Sequence, residues 1–140
     1  MTQTKGAPRR PVPARDPDTR GFFEAAARGE LAVNACAGCG AVLHLPRPYC
    51  HHCGSFAVQW RTVAGRGRLV SWTTVHQPFH PAFEVPYTVV LVELDDVPGA
   101  RLLGALPGAP DLADGMEMEV RFEAVADGVV LPQWAPVGQG

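Results

Sequence analysis

No apolar run in this chain of 140 residues approaches the ~20 residues that a membrane-crossing helix needs. Arg9-Arg10 is followed by Pro11-Val-Pro-Ala-Arg-Asp-Pro17, where the apolar centre of a targeting signal would stand, so no signal is expected there. Catalytic signatures are missing as well. There is no G-x-S-x-G elbow to present a nucleophile. No G-x-G-x-x-G opens a helix, no P-loop is present, and Gly65-Arg-Gly67 is only a weak glycine pair. His76 and His80 flank Pro78-Phe79 with no obvious nucleophile to serve, and they read as loop histidines. Acids are absent from Leu31 to Phe83, where Arg47, Arg61, Arg66, Arg68 and all five histidines fall; from Glu84 onward ten acids stand against Arg101 and Arg121 alone. This asymmetry bears on partners rather than on fold.

All four cysteines sit in two knuckles, Cys36-Ala-Gly-Cys39-Gly40 and Cys50-His-His-Cys53-Gly54. A thiolate pair separated by two residues grips one side of a tetrahedral metal ion, and a second pair closes the shell. Structural zinc is the first expectation, with no position left for substrate. Rubredoxin-type iron uses the same ligand set, and two disulfides or a redox dithiol are the remaining alternatives. A disulfide framework suits a secreted chain, whereas reduced, metal-holding cysteines suit a cytoplasmic one. His51 and His52 lie inside the second knuckle and read as solvent-facing residues, since four cysteines already complete the shell.

The order of elements follows from composition and period. Residues 1–17 are proline- and arginine-rich without periodicity, which predicts a disordered basic arm. A helix is expected over 18–30, capped by Asp16 and ended by Gly29, with Phe22, Phe23, Ala26 and Ala27 as its apolar stripe. Adjacent Phe22 and Phe23 cannot both face one side of a helix, so one of them is a candidate contact for another subunit. A zinc ribbon is expected over 31–61, with strands at Leu31–Asn34 and Ala41–Leu45 and an outgoing strand through Phe56, Val58 and Trp60. Residues 62–135 read as five strands with turn signals between them, a small barrel of OB type with an SH3-like barrel as rival. Within it Tyr87–Leu94 is almost continuously apolar, the pattern of a strand buried on both faces. Trp72, Tyr87 and Phe122 look like core. Residues 136–140 are expected to fray. The fold class is therefore mainly β, with an N-terminal helix, a ribbon and a five-stranded barrel.

A ribbon joined to an OB barrel also invites nucleic-acid binding, which needs a basic groove and stacking aromatics. Here that alternative rests on Arg47, Arg61, Arg66 and Arg68 alone.

Several short motifs, taken in order, carry a resemblance. They are Gly29-Glu-Leu31, the first knuckle, Leu45-Pro-Arg-Pro-Tyr-Cys50, Gly65-Arg-Gly-Arg-Leu-Val-Ser-Trp72, Pro86-Tyr-Thr-Val-Val90, Val92-Glu-Leu-Asp95, Gly115-Met116, Val120-Arg-Phe-Glu123, Asp127-Gly128 and Leu131-Pro132. Over about residues 18 to 134 the chain resembles the small acyl-CoA-associated proteins that join a rubredoxin-like zinc ribbon to an OB-fold. The resemblance implies a non-catalytic subunit of a thiolase-superfamily enzyme, of the lipid-transfer-type aldolase or thiolase kind, acting on acyl-CoA carbon–carbon bonds. Retro-aldol cleavage of steroid side-chain CoA esters is one case it implies. It implies Cys36, Cys39, Cys50 and Cys53 as zinc ligands, acyl-CoA bound only through the partner, and a hetero-oligomer. Phe22, Phe23, Arg47, Arg66 and Arg68 are candidates for partner or acyl-CoA contact. The family often has proline after the first cysteine of the second knuckle, where this chain has His51.

Overall fold

A computed structural model describes residues 9–14 and 16–138. The expected disordered basic arm lies outside the described residues at 1–8 and at 15, and so does the expected fraying at 139 and 140. The elements are α1 (Arg20–Ala27), β1 (Leu31–Cys36), β2 (Val58–Val63), β3 (Arg66–Val75), β4 (Tyr87–Leu94), β5 (Arg101–Pro107), β6 (Glu117–Ala126) and β7 (Val129–Pro136).

The helix begins later than its cap signal suggested. The Asp16 side chain accepts the Asp18 amide at 2.7 Å, and its carbonyl accepts the amides of Thr19 and Arg20. Asp16 therefore caps a turn that precedes α1, and Thr19 is the helix N-cap. Ala25 and Ala26 are buried, and Phe22 packs against the main core with its ring edge-on to Phe23. The two phenylalanines thus divide. Phe22 joins the core, while Phe23 lines an open groove with Arg10, Val12 and Val129. In the N-terminal segment the Arg10 guanidinium pairs with Glu123 and lies 5.0 Å from the centre of the Phe83 ring.

β1 and β2 form an antiparallel pair with Leu31 opposite Val63 and Cys36 opposite Val58. All six residues of β1 are buried. The return strand expected over Ala41–Leu45 is a single bridge, Val42 to Ala35. The buried Asn34 accounts for part of this: its carbonyl accepts the Leu43 amide at 2.7 Å and its side-chain oxygen accepts the Arg47 amide at 3.4 Å. That fixes the loop without a ladder.

The second sheet runs β5-β4-β3-β6-β7, all neighbours antiparallel. Its ends meet without a backbone ladder. Gln133 Oε1 accepts the Ala105 amide at 2.7 Å, and Arg121 donates to the Ala105 carbonyl at 2.8 Å. A side-chain seam therefore joins β5 to β7. Gly104 makes the approach possible: a Cβ there would stand 2.6 Å from Trp134 Cδ1. The core within holds Leu69, Val90, Val92, Leu94, Leu106, Met118 and Trp134, and it continues into Leu31, Val33 and Val63 of the ribbon. Ribbon and barrel share one core, in which each fully buried Leu or Val contributes about 1.5–3 kcal/mol relative to exposure.

Two local expectations are corrected. β4 alternates, with Thr88, Val90, Val92 and Leu94 buried and Tyr87, Val89, Leu91 and Glu93 only half-buried. It is covered on one face, not both. Trp72 is 40% exposed rather than core. It stands opposite Val90, hence on the inner face. However, β6 pairs with β3 only over Arg66–Arg68, so the inner face beyond is open at Trp72. Among the described residues no helix is long and apolar enough to cross a membrane.

Candidate metal centre

The two knuckles are built alike. In the first, the Cys36 amide donates to the Ala41 carbonyl and the Gly40 amide to the Cys36 carbonyl, both at 2.9 Å. In the second, the Cys50 amide donates to Ser55 and the Gly54 amide to Cys50, both at 2.8 Å. Each turn needs a left-handed residue at its end, and Gly40 and Gly54 both adopt φ of 77°, a value costly for any side chain with a Cβ. The two pairs face each other. Cys36 Sγ lies 3.6 Å from Cys53 Sγ, and Cys39 Sγ lies 3.6 Å from Cys50 Sγ. All four sulfurs are within 4.8 Å of one another. A tetrahedral ion with metal–sulfur bonds of about 2.3 Å sets sulfur–sulfur edges of about 3.8 Å, so the cluster has the size of a zinc shell.

Proton affinities point the same way. The Cys39 amide aimed at Cys36 Sγ, joined by that of Gly38, draws the Cys36 thiol down to about 6 against its burial. At Cys53 the Ser55 amide also lowers the thiol, but the adjoining Cys36 sulfur, burial and the other two cysteines together push it up to about 12. Four sulfurs this close cannot all ionise without a cation among them. The four thiols stand free, with cross-knuckle sulfurs 3.6 Å apart, a spacing that suits a shared metal ion better than a pair of disulfides. Cys36 and Cys50 are buried while Cys39 and Cys53 are exposed, so the ion would sit at the edge of the ribbon, under the small core of Leu43 with Ala41 and Val58. This closed, all-sulfur shell fits structural zinc and offers no open position for catalysis.

The other sequence candidates are not gathered into a site. Arg66 pairs with Glu119 at 3.7 Å and Arg68 with Glu117 at 3.1 Å, each its direct cross-strand neighbour. Arg61 reaches the Asp96 carbonyl at 3.5 Å, and the Asp96 carboxylate accepts the Ala64 amide at 2.8 Å, tying the ribbon to the β4–β5 turn. Arg47 is exposed at the ribbon tip, near exposed Leu45, Tyr49 and Phe56. His51 and His52 are exposed with ring centres 4.3 Å apart. The basic half of the sequence therefore does not fold into a basic groove, because its strand arginines meet the acids of the other half across the sheet.

Two family models match. One described as the ChsH2 rubredoxin-like zinc ribbon domain covers residues 23–59, and one described as the ChsH2 C-terminal OB-fold domain covers residues 60–123. A solved structure titled "Ltp2-ChsH2(DUF35) aldolase" superposes with a TM-score of 0.81 at 38% identity, over 89% of this chain and 98% of that one. The chain is 42% identical over 97% of its length to a probable enoyl-CoA hydratase alpha subunit of Thermomonospora curvata, of which it covers 43%. It is 31% identical over 88% of its length to the 3-oxo-4,17-pregnadiene-20-carboxyl-CoA hydratase alpha subunit of Mycobacterium tuberculosis, of which it covers 37%. It thus spans less than half the length of these two curated relatives. With its four-cysteine knuckles, its five-stranded barrel and matches to both domain models, the chain belongs to the ChsH2 family of rubredoxin-like zinc-ribbon and OB-fold proteins.

Proposed function

We propose that this chain is a non-catalytic subunit of a heteromeric thiolase-superfamily enzyme that acts on a carbon–carbon bond of an acyl-CoA, of the Ltp2 aldolase kind. The observation that carries this is the likeness, over nearly the whole of that chain, to the ChsH2 part of the Ltp2-ChsH2 aldolase. The chemistry of the chain agrees. Its metal shell would be completed by Cys36, Cys39, Cys50 and Cys53, and a saturated zinc ion supplies folding free energy rather than a Lewis acid. The chain's own residues then serve to build a rigid ribbon and barrel that stabilise the partner and its acyl-CoA tunnel. The mycobacterial relative is named as a hydratase subunit for a steroid CoA ester, which favours steroid side-chain substrates, and the aldolase title of the solved structure favours retro-aldol cleavage. Cysteines held reduced by a metal support a cytoplasmic complex. Of the sequence candidates for partner or acyl-CoA contact, Phe23 and Arg47 keep exposed or groove-lining positions, whereas Phe22, Arg66 and Arg68 are engaged within the chain.

Nucleic-acid binding is the weaker alternative, since three of its four arginines are already occupied. Co-expression of the chain with an Ltp2-type subunit, followed by size-exclusion chromatography with light scattering in the presence of nuclease, tests the proposal. A stoichiometric complex is expected. An unbound chain, or nuclease-sensitive association with nucleic acid, contradicts it.

A further inference from the structure

The sequence of β4 and its surroundings in the fold disagree, and the disagreement is localised. Tyr87–Leu94 has the composition of a strand covered on both sides, yet only one side is covered. The uncovered side can be read off the register as four rows across three strands. Ser71, Leu91 and Leu103 are directly opposite one another, then Thr73, Val89 and Ala105, then Val75, Tyr87 and Pro107. The fourth row is Arg68, Glu93 and Arg101, in which Arg101 pairs with Glu93 at 3.2 Å. Three consecutive rows therefore carry no charge, and the third residue of the one charged row, Arg68, is paired with Glu117 of β6. Leu103, at the centre of the outer strand, is 65% exposed. None of Val89, Leu91 and Leu103 joins the core, and among the described residues no helix or second sheet lies over them. A largely apolar, uncharged sheet face of this kind is normally packed against another layer.

The size of the face decides between occupants. Three strands about 4.8 Å apart and three rows about 6.6 Å apart make a footprint of roughly 300 Å². Two copies packed face to face would bury roughly 600 Å², short of the ~1,000 Å² that a specific pair needs. A larger partner can cover the face and reach beyond it. We propose that the outer face of β3, β4 and β5, centred on Leu91 and Leu103, is the seat of the enzyme subunit, which covers it with an uncharged apolar patch of its own. This rests on the accessory-subunit reading above and names the surface through which it operates.

The test uses the full chain co-expressed with an Ltp2-type subunit, with affinity measured for wild type, Leu103→Glu, Leu103→Met, Leu103→Ala and, at the ribbon tip, Phe56→Ser. Because Leu103 is exposed, all of its variants should keep zinc content and thermal unfolding. Leu103→Glu should weaken binding at least tenfold, Leu103→Ala less, and Leu103→Met and Phe56→Ser within about twofold. Wild-type binding together with unchanged binding of Leu103→Glu overturns the surface assignment while leaving the accessory role intact. A chain that dimerises alone in sedimentation, and is made monomeric by Leu103→Glu, overturns it in favour of a second copy. Failure of the wild type to bind the Ltp2-type subunit overturns the accessory role, and the surface assignment with it.

Discussion

Cys36 and Cys50 are buried at the base of their knuckles, and replacing either with serine removes a soft ligand that serine cannot supply. Cys36→Ser or Cys50→Ser should leave less than one zinc per chain by elemental analysis and abolish the circular dichroism of the ribbon. Retention of stoichiometric zinc in either variant would contradict the four-cysteine shell. Gly104 is constrained from the other direction. A methyl group there meets Trp134 Cδ1 at 2.6 Å and its backbone nitrogen at 3.2 Å, so Gly104→Ala should destabilise the barrel by about 1–3 kcal/mol, read as a lowered thermal midpoint. Glu123 provides a pH signature. Burial raises its proton affinity, but Arg10 and then Arg121 overcome that and hold the carboxyl below its ordinary value. A depressed carboxyl contributes stability that is complete above its unfolded value and is lost as pH falls through its folded one. Wild type should therefore lose stability on acidification relative to Glu123→Gln, by about 1 kcal/mol or less for so shallow a site. Equal acid limbs for the two proteins would show that the pairing of Glu123 with Arg10 and Arg121 adds no stability. The cysteines were legible because each knuckle brings its two thiols together with only two residues between them. Arg66 and Arg68 were not, because Glu119 and Glu117 reach them only through the β3–β6 register.

At the scale of elements, the ribbon depends on metal but does not end at it. Leu31, Val33 and Val63 of β1 and β2 sit in the barrel's core. Removing zinc with a chelator should therefore lower the stability of the barrel as well, with hydrogen exchange accelerating in β4 and β7 and not only in β1 and β2. Exchange confined to the ribbon would show that the two parts fold independently. The strands of the barrel were readable from their alternation and turns, and the glycine that ends each knuckle was readable as a turn. Three features were not. The start of α1 was misplaced because Asp16 caps a separate turn before it. The exposure of Trp72 depends on where β6 leaves β3, which no local pattern records. β4 reads as doubly buried because Val89 and Leu91 are as apolar as Val90 and Val92, while only the latter pair faces the core.

At the scale of the whole molecule, charge is the organising contrast. The acid-free stretch Leu31–Phe83 and the acid-rich stretch after it fold so that Arg66 and Arg68 are matched to Glu119 and Glu117, while Arg101 meets Glu93 within the acid-rich stretch. Such exposed pairs add little stability singly; what they do is neutralise the strands and leave the apolar face of β4 and β5 as the larger feature for a partner to recognise. The accessory role stands or falls on turnover of a steroid side-chain CoA ester by the Ltp2-type subunit alone, by this chain alone and by the two together. An inert chain is expected, and a partner whose carbon–carbon cleavage is lost or short-lived until the zinc-loaded chain is added. Cleavage by the chain alone, or a partner equally active and equally stable without it, would contradict that role.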